Sequence, residues 1–155
     1  MSRSGARVLT ILAYTDACLK LTKNWHTDDA TVALVDAAQE RCFFTLANWP
    51  VFDQSGAIVD RVRKHNSDIS AALDKVEWVR TGINADPTGM CYVAMQMIDD
   101  LLRLITNKQR RGWLETVHHL LTDVINHIDP DGSLFFSQDQ AAELTTAVYN
   151  VTGEE

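Results

Sequence analysis

The chain has 155 residues, 46% of them hydrophobic, with a formal net charge of −7 and an isoelectric point near 5.1. That is enough apolar material for one domain with its own core, without a metal or disulfide, and the charge disfavours nonspecific binding to nucleic acid or anionic membrane. No stretch approaches the ~20 apolar residues that a membrane-spanning helix needs.

The seven glycines and three prolines fall where periodic segments begin or end, so each reads as a helix boundary. The expectation is an all-α, single-domain helical bundle of five to six helices over residues 1–155, with a short flexible end from about residue 152. This pattern also leaves out the glycine-rich loops that cradle phosphates. Residues 1–25 carry four basic and one acidic side chain, while residues 129–155 carry six acidic and no basic ones. The acidic end reads as solvated.

A first helix is expected from about Ala6 to Asn24, with Ile11, Tyr14, Cys18, Leu21 and Trp25 on one face and Asp16, Lys20 and Lys23 as a narrow polar strip. The preceding Arg3 and Arg7 give Val8–Tyr14 a faint likeness to a secretion signal. The run is short and Asp16 stands where a small-residue cleavage site belongs, so a cytoplasmic location is expected. A second helix starts at Thr27 as N-cap and ends before Pro50, with Val35, Ala38, Cys42, Leu46 and Trp49 inward and Ala33, Ala37 and Phe44 on the opposite side. A third is closed by Ser55 and Gly82, with Val62, Ile69, Leu73 and Val76 as its seam. Asn66 falls on that seam, so one continuous helix and a break near Asn66 are both open.

Asp86 and Pro87 mark the start of a fourth helix, with Cys91, Ala94, Met95, Ile98, Leu101, Leu102 and Ile105 inward. A short basic turn of Lys108, Arg110 and Arg111 joins it to a fifth helix, which implies an antiparallel hairpin. The first two helices make a second hairpin. Asp129-Pro130-Asp131-Gly132 reads as a turn, and Ser137 with Gln140 as the capping box of a final short helix.

Three widely spaced cysteines on apolar stripes read as buried thiols in a reducing compartment. The chain has no nucleophile elbow, Walker sequence or His-Glu-x-x-His. Its densest ionisable group is Glu115, His118, His119, Asp123 and His127, with Asp99 and Asp100 on the hairpin partner. Glu115 and His118 have the Glu-x-x-His spacing of di-iron bundles, but only one copy is present, and Glu115, His119 and Asp123 share a polar face.

No cofactor is expected. The chain reads as a non-enzymatic protein-interaction module, a small adaptor, regulator or inhibitor. A metal-binding or metal-dependent bundle using Glu115, His119 and Asp123 is the competing reading. The expected partner surface is Trp78 with Lys64 and Lys75, together with Lys108, Arg110 and Arg111, because aromatics beside basic groups suit an acidic protein surface. Homodimerisation is expected through Ala33, Ala37 and Phe44, where small residues permit close approach.

Overall fold

The computed structural model describes residues 3–49, 57–76, 79, 87–132 and 137–152, and these are helical without a strand. Among the described residues six α-helices run in chain order: α1 (Arg3–Trp25), α2 (Asp29–Asn48), α3 (Ala57–Leu73), α4 (Thr88–Leu104), α5 (Lys108–Ile128) and α6 (Gln138–Tyr149), which continues into a 3-10 turn at Asn150–Thr152. The architecture is the helical bundle that the periodicity predicts.

α1 occupies the centre and packs against α2, α3, α4 and α6. Every residue from Val8 to Asp16 is buried, followed by Cys18, Leu19 and Thr22. Helical hydrogen bonding satisfies the backbone of so deep an element, and its buried polar side chains find partners nearby except Thr10, whose Oγ1 has none among the described residues. Thr15 donates to the Ile11 carbonyl (2.8 Å), Thr22 to that of Cys18 (2.9 Å), and the Tyr14 hydroxyl crosses to the Met90 carbonyl on α4 (2.9 Å). The exposed end of the helix is Leu21 and Trp25, which the periodicity had placed on the buried face.

Asp16 departs from the sequence expectation. It is 3% exposed rather than part of a solvated strip. Its carboxylate accepts hydrogen bonds from Gln39 Nε2 on α2 (3.0 Å) and Asn66 Nδ2 on α3 (3.2 Å). Asn66 therefore sits on the α3 seam as a donor to a buried anion, and α3 runs unbroken past it.

Local caps fix the ends. α2 begins one residue later than predicted, with Asp28 as N-cap: its carboxylate takes the Thr31 amide (3.0 Å) and hydroxyl (2.8 Å). Those bonds, aided by His127 at 3.3 Å, lower the Asp28 pKa to about 2. The Ser137–Gln140 capping box is present as expected. α4 starts at Thr88 with Pro87 in the cap position and no side-chain cap; Asp86, Ser55 and Gly82 lie outside the described residues. Gly89 is the second residue of α4, at its start as expected, whereas Gly112 lies inside α5, in its second turn.

The loops His26–Asp28 and Ile105–Asn107 are short, so α1–α2 and α4–α5 each pack as a hairpin, and α2 lies against α5. A single hydrophobic cluster draws on all six helices.

Candidate interaction surface

The C-terminal end of α2 and the first turns of α5 meet in an aromatic cluster. α2 stops at Trp49, whose extended backbone carries the indole inward to 2% exposure. Trp113, on the second turn of α5, stands 6.3 Å from Trp49 and meets Phe44 edge-to-face at 6.0 Å and 87°. That is a favoured aromatic geometry, and it holds the Phe44 ring in place from below. The Phe44 side chain is nonetheless 40% exposed, and that of its neighbour Phe43 36%. Arg41, one turn earlier, lays its guanidinium 4.3 Å from the Phe44 centroid, and Arg110 lies 5.7 Å from that of Trp49.

The first turn of α5 is cationic, with no acidic residue. Positive side chains at a helix N-terminus oppose the macrodipole, so Lys108 and Arg110 gain nothing from their helix. Asn107 caps the turn by accepting the Arg110 amide at 3.0 Å. Arg111 has a different task. Its guanidinium donates to the Leu102 carbonyl and, at 3.1 Å, to that of Ile105, satisfying carbonyls at the end of α4. It serves the hairpin rather than the surface.

The other expected surface residues separate. Trp78 lies outside the described residues. Lys64 is exposed and paired with Asp68 at 3.3 Å, while Lys75 borders a groove of about 540 Å³ between α3 and α6. Both belong to the α3 side, which packs on α1 and α6, away from the α2–α5 pair. Ala33 and Ala37 are exposed on the same stripe of α2 as Phe44. So the structure joins Phe44 to Arg110, which sequence reasoning had put in separate surfaces. Arg41, Phe43 and Trp113 were missed, although the i, i+3 spacing of Arg41 and Phe44 was a readable signal for their contact.

The ionisable residues of α5 are dispersed. His118 Nε2 is 3.0 Å from Asp99 Oδ1 without hydrogen-bond alignment, and His119 Nε2 is 3.7 Å from Asp123. Asp99, Glu115, His118 and His119 border a shallow cleft of about 490 Å³. Among the described residues no three His, Cys, Asp or Glu side chains are placed to share a metal ion. Cys18, Cys42 and Cys91 are buried free thiols, and burial pushes the Cys18 and Cys42 thiols well up, away from nucleophilic thiolate.

No family model, curated protein or solved structure matches this chain. No helix among the described residues is long and apolar enough to cross a membrane.

Proposed function

We propose that this chain is a non-enzymatic protein-interaction module, a small cytoplasmic adaptor, regulator or inhibitor that acts by binding another protein through the α2–α5 aromatic surface. The observation that carries this reading is the pair Phe43 and Phe44, both exposed by more than a third while Phe44 is held by Trp113. Large aromatics fixed before binding lose little entropy on docking and supply much of the energy at protein interfaces. Self-association along the Ala33–Ala37–Phe44 stripe belongs to the same proposal.

The test is proximity crosslinking in cells and capture from native lysate, comparing wild type with Phe44→Ala. Because Phe44 is 40% exposed and lies outside the buried core, the variant is expected to keep its helicity and to lose most specific captured protein. Equal capture by both forms would remove this surface from the interaction.

A further inference from the structure

The chain carries 21 acidic against 14 basic side chains, and several of its cations are paired with a carboxylate. Lys23 pairs with Asp36, Arg63 with Asp60, Lys64 with Asp68 and Arg103 with Asp100. Arg41, Lys108 and Arg110 have no acidic partner among the described residues, and neither arginine is drawn away from its ring by a carboxylate. All three flank the aromatic cluster at the junction of α2 and α5.

The two arginines are also posed in a particular way. A guanidinium held over an aromatic ring is attracted through its face, which leaves the in-plane N–H groups directed sideways and free to donate. Those donors match the two oxygens of a carboxylate, and such paired bonds are among the stronger hydrogen bonds available to a protein. Beside Arg41 lies the partly exposed ring of Phe44, which offers contact to apolar side chains. The surface thus asks for carboxylates and apolar groups together.

Resting on the interaction reading above, we infer that the partner binds this surface through a segment in which Asp or Glu side chains flank large apolar residues. Phosphate-rich polymers suit the site less. A protein of net charge −7 repels a polyanion at long range, whereas a short acidic segment feels mainly the local cations and the rings.

A random twelve-residue displayed peptide pool, selected on the wild-type protein, tests this without knowledge of the partner. Enrichment of sequences with Asp or Glu beside Phe, Trp, Leu or Met is expected. A synthetic peptide from that set should bind at least about 30-fold more weakly to the double variant Arg41→Glu/Arg110→Glu. Arg41→Lys keeps the charge but not the fork, and should give an intermediate loss. Rising salt should weaken binding, and circular dichroism of each variant should show wild-type helicity, so that lost binding reports on the surface and not on unfolding. Enrichment of neutral or basic peptides, or of none, overturns the inference. So does binding indifferent to the arginine variants, tighter capture of single-stranded DNA than of the peptides, or competition by self-association alone. Peptides that bind elsewhere on the protein would leave the interaction reading standing and remove only this partner class; an inert surface together with Phe44-independent capture would remove both.

Discussion

Asp16 is a carboxylate on the most buried helix, and its two amide donors come from two different helices. A buried anion is tolerated only when its lone pairs are met, so Gln39 and Asn66 hold α2 and α3 at set positions against α1. Lys23 extends the network, donating to Gln39 Oε1 (3.3 Å) and Asp36 (2.7 Å). Replacing Asp16 by Ala removes the acceptor and strands both amides; the expected loss is about 1–3 kcal/mol of unfolding free energy, read from urea titration. An unchanged midpoint would mean water satisfies the amides equally well. In the sequence, Asp16 and Asn66 each stood out as a polar residue on or beside an apolar face, but pairing across 50 positions leaves no local trace. Asp16 therefore read as a solvated strip and Asn66 as a possible break. Phe44 was easier: its position opposite the buried stripe correctly marked an outward ring, while its contact with Trp113 depended on how α2 and α5 dock.

At the scale of single helices, local chemistry was the most readable. The Ser137–Gln140 box needs only residues three apart, and it is present as expected. At α2 two adjacent candidates competed, and the charged Asp28 holds the cap ahead of Thr27 because its carboxylate reaches both the Thr31 amide and hydroxyl. The assumption that glycine never enters a helix failed at Gly112, which lies in the second turn of α5. A helix tolerates such a residue at a cost of about 0.5–1 kcal/mol relative to alanine. A Cβ built there meets nothing within 4 Å. Gly112→Ala is therefore expected to stabilise the protein by about 0.5–1 kcal/mol, seen as a raised thermal midpoint, and destabilisation would show that the site has a close neighbour after all.

For the molecule as a whole, two hairpins were foreseeable from their short turns, but the identity of the central helix was not. Apolar surplus on α1 read equally as material for an inner layer or for a subunit interface. The structure uses it inside, which leaves the exposed stripe of α2 as the ground for self-association. Asp36 and Glu40 are exposed beside that stripe, and a two-fold contact centred there brings like charges together. A dimer, typically burying on the order of 1,200–2,000 Å², should thus tighten with added salt in a light-scattering concentration series, and Ala37→Glu should dissociate it. Capture of an acidic segment at Arg41 and Arg110 should weaken with salt, so the opposite signs separate the two events. A monomer under all salt conditions would end the self-association proposal. The placement of α1 also bears on how the chain is made. Its deepest helix leaves the ribosome before the helices that cover it, and part of that cover, α6, begins only at Gln138. At about 5–20 residues per second, an apolar segment waits on the order of ten seconds for its last neighbour. During nascent growth the nearest cover for that segment is α2, which follows it after a three-residue loop and packs against it.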